Sequence, residues 1–433
     1  MNLHYPQLVF ADKNGKVFHF PGLQGVGMKA GNYRWLDNEH LVKLPAHAEL
    51  FRLPDRCPVG YDSETKQFVT MENDPYSESP EPVFAVAAFM PPGLTLTHSA
   101  AYAEREGAPL LPLFAYGPCV FWKGDYYSSA VPVDTDIRHD ERFMDGAAVE
   151  KGIEQYKKLF PANRLVPHLA NCATVNACAN AKNFFLGRFE APIPTSPVCN
   201  AQCQGCISFQ PAAQGIPSTQ SRISFIPKPE EIAELVLFHF ERETDPIVSF
   251  GQGCEGEPSL QADTIEKAIR LVRAKTAKGA INLNTNASRP EAVARLFAAG
   301  LTNIRVSTNS VREPYYSRYY QPKGYSFKEV TESVDAAKRA GGFVSLNYLS
   351  MPGFTDSRDE FEALKTFIAE HGVDMIQWRN LNYDPLRYFR DLKLSIVPGE
   401  MLGMERIIAE LAGHFPRLRM GYFNPKASTV IRS

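Results

Sequence analysis

Beyond residue 190 the chain alternates short apolar runs with longer stretches of helical periodicity. The runs "IVSF", "INLNTN", "TNIRVST", "FVSLNYLS" and "DMIQWRN" read as strands, preceded by a first strand near "APIPTSPV". Between them "PEEIAELVLFHFER", "DTIEKAIRLVRAK", "PEAVARLFAAG", "SFKEVTESVDAAKRAGG" and "RDEFEALKTFIAEHG" repeat apolar residues at the spacing of a helix with one buried face. Three of them end in glycine, as helix C-termini often do. This alternation predicts a parallel sheet with helical crossovers, hence an α/β barrel or a doubly wound sheet. In either fold the ligand sits at the C-terminal ends of the strands.

Residues 1–190 have a different pattern. Short strand-like runs are separated by turn signals: "LVFADKNGKVFHF" predicts a hairpin around Asn14-Gly15, and "CVFWKGDYYSSAVPV" another around Lys123-Gly124-Asp125. One helix near "GAAVEKGIEQYKKLF" closes this small mixed domain. The predicted division is therefore 1–190, a β/α core over 191–390, and a C-terminal segment over 391–433. That last segment carries one amphipathic helix, "GEMLGMERIIAELAGHF", from about Ser395 onward, and a closing strand in "MGYFNPKASTV", which together cover the core.

Composition narrows the function classes. The 433 residues are 44% hydrophobic and 22% charged, with a formal net charge of -2, which gives no nucleic-acid footprint and no membrane-attracting surface. The N-terminus lacks a basic stretch followed by an apolar run, and "VFAVAAFM" is too short to cross a bilayer, so the expected location is the cytoplasm. In a reducing compartment, eight cysteines argue for metal ligation, catalysis or burial ahead of disulfides.

Three of the eight lie in "CNAQCQGC": Cys199, Cys203 and Cys206, directly after the first predicted strand. Three thiolates so spaced can each ligate one iron of a 4Fe-4S cluster, leaving the fourth iron open to a substrate or cofactor. The alternative is a zinc site, but structural zinc takes four ligands, and no His or Cys occurs in the next thirty residues; His239 is the nearest downstream. A second motif, "SFGQGCEGEP", has Gly251, Gly253 and Gly256 in the G-x-G-x-x-G spacing of a dinucleotide loop. That reading requires an acid about 20 residues on, at the end of the next strand, to hold a ribose. "INLNTNAS" instead ends in Asn284 and Asn286, and Pro258 interrupts the helix entry.

C-x3-C-x2-C after the first strand of a repeated β/α region resembles the radical S-adenosylmethionine (radical SAM) superfamily, over about residues 190–390. The resemblance implies an α/β fold: a partial (β/α)6 TIM-like barrel preceded here by a small mixed α+β domain. It also implies a cluster on Cys199, Cys203 and Cys206 whose open iron is chelated by SAM. One-electron reduction then yields methionine and a 5'-deoxyadenosyl radical that abstracts hydrogen from a substrate. A one-electron donor such as flavodoxin or ferredoxin, and sensitivity to oxygen, follow from that chemistry. "GEP", Gly256-Glu257-Pro258, matches the family's loop for the SAM amino group; Ser307 and Asn309, and more remotely Asn286, match its polar SAM contacts, and Gly353 its adenine contact.

Other residues extend or depart from the pattern. Gln377 and Arg379 alternate with Trp378 and share one face, where Arg379 needs a carboxylate partner from SAM, substrate or a neighbouring acid. Gly205 stands where the family usually has an aromatic, which transfers adenine packing to Ile207 or Phe209. Cys254, at the mouth of the expected site, is the candidate catalytic thiol: a hydrogen-atom donor, a ligand to a second cluster, or a buried small residue. Cys57, Cys119, Cys172 and Cys178 are enough for an auxiliary cluster in the N-terminal domain. The aromatic run "YGPCVFWKGDYY", with Trp122 and Tyr126, is either a groove for a peptide or protein substrate or an ordinary hairpin. The competing class is a non-catalytic iron-sulfur or zinc protein, which would not need Gly256, Glu257, Ser307 and Asn309 at successive strand ends.

Overall fold

The computed structural model describes residues 5–45, 48–394 and 400–431. Seven strands form one parallel sheet in unbroken chain order: Glu190–Pro192, Ile247–Phe250, Ala280–Thr285, Asn303–Thr308, Phe343–Ser350, Met375–Asn380 and Arg419–Gly421. An order without reversal decides between the two predicted architectures. A doubly wound sheet needs a switch in strand order, whereas successive right-handed crossovers in one direction put every helix on one face and leave an open barrel. The helices follow the sequence pattern closely, at Pro229–Arg242, Ala262–Arg273, Pro290–Ala299, Phe327–Arg339 and Arg358–His371.

Each helix inserts an apolar face into the sheet. In Pro229–Arg242, Ile232, Leu235, Val236 and Phe240 are all at most 1% exposed, and burial of each contributes about 1.5–3 kcal/mol. The sheet has two unlike faces. Ile281, Leu283, Ile304, Val306, Val344, Leu346, Ile376 and Trp378 are buried in the main core, and the residues alternating with them along the strands are polar.

Where the sequence predicts one helix before the barrel, the described residues form three α-helices: Gly146–Leu159, Leu165–Thr174 and Ala179–Leu186. Pro167 sits in the first turn of the second, where a missing N–H costs nothing, and the short third helix ends on Gly187 in the left-handed conformation. Tyr156, Leu169 and Phe184 of these helices share one core with the barrel.

The remainder of the N-terminal part is antiparallel. Gln7–Ala11 lies at its centre, pairing with Val17–Lys29, Phe84–Ala88 and Val120–Trp122. Both predicted hairpins form, the second through a two-residue turn at Lys123 and Gly124, both with positive φ. At the other end, the predicted amphipathic helix is Met404–His414, and Arg419–Gly421 is the closing strand. Ser395–Gly399, where that segment was expected to begin, lie outside the described residues.

The antiparallel sheet is seated on the C-terminal ends of the fifth and sixth parallel strands. Arg56, 1% exposed, pairs with Asp384 at 2.9 Å, and Tyr102 donates its hydroxyl to the same carboxylate. Lys29 pairs with buried Asp356 at 3.0 Å, while Asn380 bonds the backbone of Leu94 and Leu96. Among the described residues no helix is long and apolar enough to cross a membrane.

Candidate active site

Cys199, Cys203 and Cys206 lie on the loop leaving the first strand, all half-buried. The loop is held from behind by the helix Glu313–Tyr320: Gln202 and Gln204 donate their backbone N–H groups to Tyr320 and Tyr319 carbonyls, both at 3.0 Å, and Lys323 donates to Asn200. Burial pushes the Cys199 thiol up to about 11 and Cys203 further, each reinforced by the neighbouring motif sulfurs. Such thiols favour ligation by a cation over remaining as bare thiolates. Arg222 directs its guanidinium at Cys206 Sγ, 3.6 Å away, and is steadied by Ser208 Oγ.

A ring at position 205 would have no room. A Cβ there would stand 2.8 Å from the Tyr319 hydroxyl and 3.0 Å from the Asn382 carbonyl oxygen, with Tyr383 next to it. Aromatic cover beside the last cysteine thus comes from Tyr319 and Tyr383. Ile207 packs on Gly253 instead, and Phe209 is 52% exposed.

The glycine-rich loop after the second strand docks along the segment leading into the cysteines. Gly256 donates to the Ser196 carbonyl and Glu257 to that of Val198. A Cβ at 256 would lie 2.0 Å from the Val198 oxygen, so only glycine permits this approach. Two acids fix the loop from inside. Glu255 accepts from Thr195 N and Oγ1, Ser196 N, Gly251 N and Gln252 N. Burial nonetheless pushes its carboxyl up to about 7. Glu257 accepts from Ser259 N, Thr285 Oγ1 and Asn286 N, joining the loop to the end of the third strand.

The interior face of the barrel is lined by a connected polar ring. Ser249 donates to Glu190, Asn282 to Ser249 and Asn284, and Asn303 to Asn282. Arg305 bonds Gln377, which bonds Asn424, which returns to Glu190. Several buried polar atoms on this face have no partner among the described residues: Asn284 Nδ2, Arg305 Nε, Asn347 Oδ1 and, just beyond the fourth strand, Asn309 Oδ1. Buried polar groups are normally paired, so these atoms suit a polar ligand such as SAM, beside sulfurs suited to a cluster.

The structure places the remaining expected residues as follows. Ser307 is half-buried on the interior face, in register with Asn347. Asn309 donates to the Tyr388 hydroxyl. Asn286 ties Asn200 of the cysteine loop to the third strand through a 2.8 Å bond. Arg379 meets no acid among the described residues: half-buried, it stacks 4.0 Å over the Tyr422 ring and donates to the Tyr422 carbonyl, which leaves a ligand carboxylate as its expected partner. Gly353 packs against the N-terminal domain, since a Cβ there would stand 2.4 Å from Ala30 N, which gives this glycine a reason unrelated to adenine.

Cys254 is 3% exposed, and its sulfur lies with Cys172 and His168, within 4.8 Å of both. The four N-terminal cysteines do not assemble as an auxiliary cluster would require. Cys119 is in the core of the antiparallel sheet and Cys172 in that of the barrel, while Cys57 lies on a strand of the antiparallel sheet, near Arg105 and Glu72. His239, the distant zinc candidate, is fully buried and donates to the Phe189 carbonyl. Sequence reasoning missed Arg222 and Arg305, which belong to no motif, and Glu255, which lies inside "SFGQGCEGEP" but is not singled out there.

The profile of the Radical SAM superfamily matches residues 193–368, the stretch that carries the cysteine motif, so this part of the chain is similar to radical SAM domains. GTP 3',8-cyclase from Aquifex aeolicus (strain VF5) is 29% identical over 178 residues, 41% of this chain and 52% of that protein. The chain thus spans about half the length of that relative. Among solved structures, it is similar to methylornithine synthase (PylB) at 16% identity and TM-score 0.38, covering 63% of this chain and 77% of that one. It is also similar to the FeFe-hydrogenase maturase HydG from Carboxydothermus hydrogenoformans, at 13% identity and TM-score 0.34, with coverage of 65% and 80%.

Proposed function

We propose that the protein is a radical SAM enzyme whose 4Fe-4S cluster is held by Cys199, Cys203 and Cys206, with SAM and substrate in the polar interior of the barrel. The observation that supports this reading is the presence, on one barrel, of three half-buried thiols on the first loop and of unpartnered polar atoms along and just beyond the third, fourth and fifth strands. When bound, cluster and SAM would supply a one-electron cleavage giving methionine and a 5'-deoxyadenosyl radical able to take a hydrogen atom from the substrate.

The chain's own residues do the rest. Gly256 and Glu257 hold the loop after the second strand against Ser196 and Val198, on the segment leading into the cysteines, where the SAM amino group would sit. Ser307 and Asn309 offer hydrogen bonds at the end of the fourth strand. Arg305 and Arg379 raise the positive potential of the interior: burial and the neighbouring Arg379 bring Arg305 down to about 10. A ligand carboxylate or phosphate would relieve that repulsion. The antiparallel sheet, seated over the fifth and sixth strand ends, closes the site against water and is the natural place for substrate selection. Electrons would come from a flavodoxin- or ferredoxin-like donor.

The test is spectroscopic. Protein reconstituted anaerobically with iron and sulfide and then reduced should give an EPR signal that SAM perturbs, and the variant with all three motif cysteines changed to alanine should give none. A cluster signal indifferent to SAM would favour a structural role for the centre.

A further inference from the structure

His168 and Cys172 are four residues apart on the helix Leu165–Thr174 and therefore share a face. Cys254 reaches them from the loop after the second strand, and the three ligand atoms all lie within 4.8 Å of one another. Among the described residues this is the one group of three His, Cys, Asp or Glu side chains that converges so closely. Cys172 is fully buried and His168 half-buried.

We propose that His168, Cys172 and Cys254 form a mononuclear site for a zinc-class divalent cation, separate from the cysteine motif. The geometry suits one ion. Tetrahedral zinc, with bonds of about 2.3 Å to sulfur and about 2.0–2.1 Å to nitrogen, sets neighbouring N and S ligands about 3.6 Å apart. Cys172 Sγ and His168 Nε2 are separated by 3.7 Å. An iron-sulfur cluster fits less well, because thiolates on different irons stand farther apart than two ligands of one ion. The motif sulfurs show the contrast: they influence one another electrostatically without meeting at a point.

The fourth position is left to water or an exogenous ligand, as in zinc sites with three protein ligands; Cys178, whose backbone N–H donates to the Cys172 carbonyl at 2.9 Å, follows the helix without joining the convergent group. Occupied, the site would staple the helix Leu165–Thr174 to the loop carrying Gly256 and Glu257. It needs no redox change and no substrate, and it stands whether or not the proposed activity does.

The experiment uses the full chain, stripped of metal by a chelator under anaerobic conditions, given zinc chloride and desalted. About one zinc per chain is expected to remain. Cys172→Ser and Cys254→Ser should each lose at least nine-tenths of it, whereas Cys178→Ser should keep it. The alanine variant of Cys199, Cys203 and Cys206 should keep its zinc while losing the capacity for an iron-sulfur cluster. Cobalt(II) in place of zinc should give thiolate charge-transfer and tetrahedral ligand-field bands in that alanine variant, so a folding defect in a serine variant cannot mimic the result. Wild type that retains no zinc, cobalt bands that vanish with the motif cysteines, or a Cys172–Cys254 disulfide in anaerobically isolated protein would each overturn the site.

Discussion

At the scale of single residues, the carboxylate of Glu255 shows how much of the site is scaffolding. Its two oxygens receive five donors from two loops. Glu255→Gln puts an NH2 group where one oxygen now accepts and leaves buried donors unpaired. Equilibrium urea unfolding should register a loss of about 2–3 kcal/mol. Arg222 acts in a different way. Hydrogen bonds and positive charge at a ligating sulfur favour the reduced state of a cluster, so Arg222→Ala should shift the midpoint potential of the reconstituted centre to more negative values. An EPR-monitored redox titration reads this independently of turnover, and an unchanged potential would deny Arg222 that role. Neither residue was legible in the sequence: Arg222 belongs to no motif, and Glu255, though inside the glycine-rich motif, also binds Thr195 and Ser196, 60 and 59 residues away, which no local spacing reveals.

Among the elements, the strands were the most legible. "INLNTN", "NIRVSTNS", "FVSLNYLS" and "IQWRN" alternate apolar and polar residues, and the structure turns the apolar set to the helices and the polar set to the barrel interior. A parallel sheet is usually apolar on both faces; a polar inner face written into the periodicity is what the proposed binding site requires. The helices at Leu165–Thr174 and Ala179–Leu186 were less legible, since each is short and shows no sustained period. How they join the barrel is visible at Glu231, in the first turn of Pro229–Arg242, which bonds Arg164 at 2.6 Å as well as its own N-terminal backbone. The Arg164 guanidinium and these backbone bonds hold its carboxyl down to about 2. A depressed carboxyl contributes stability that is present above its unfolded value and lost as pH falls through the folded one. Glu231→Gln should therefore cost about 1–2 kcal/mol at neutral pH and flatten the acid dependence of stability between about pH 4.5 and 2. Equal acid sensitivity in wild type and variant would contradict this assignment.

Viewed whole, the molecule is a barrel whose mouth is partly covered by an antiparallel sheet, and the join rests on a few buried charges. Arg56 and Asp384 are each 1% exposed at the side chain, a pairing no pattern could reveal because 328 residues separate them. Removing one partner of a buried pair strands the other, at about 3–5 kcal/mol. Arg56→Met should accordingly separate the unfolding of the antiparallel sheet from that of the barrel, seen as two transitions in differential scanning calorimetry where wild type gives one. A single transition at the original temperature would show that the pair does not hold the two parts together. The central claim is tested most directly by measuring 5'-deoxyadenosine formed from SAM by the reconstituted, dithionite-reduced protein. The account predicts that wild type makes it and that the variant lacking Cys199, Cys203 and Cys206 does not. Its absence from wild type with a full complement of iron and sulfide and no SAM-induced change in the EPR spectrum, or its equal formation by the variant, would contradict the account.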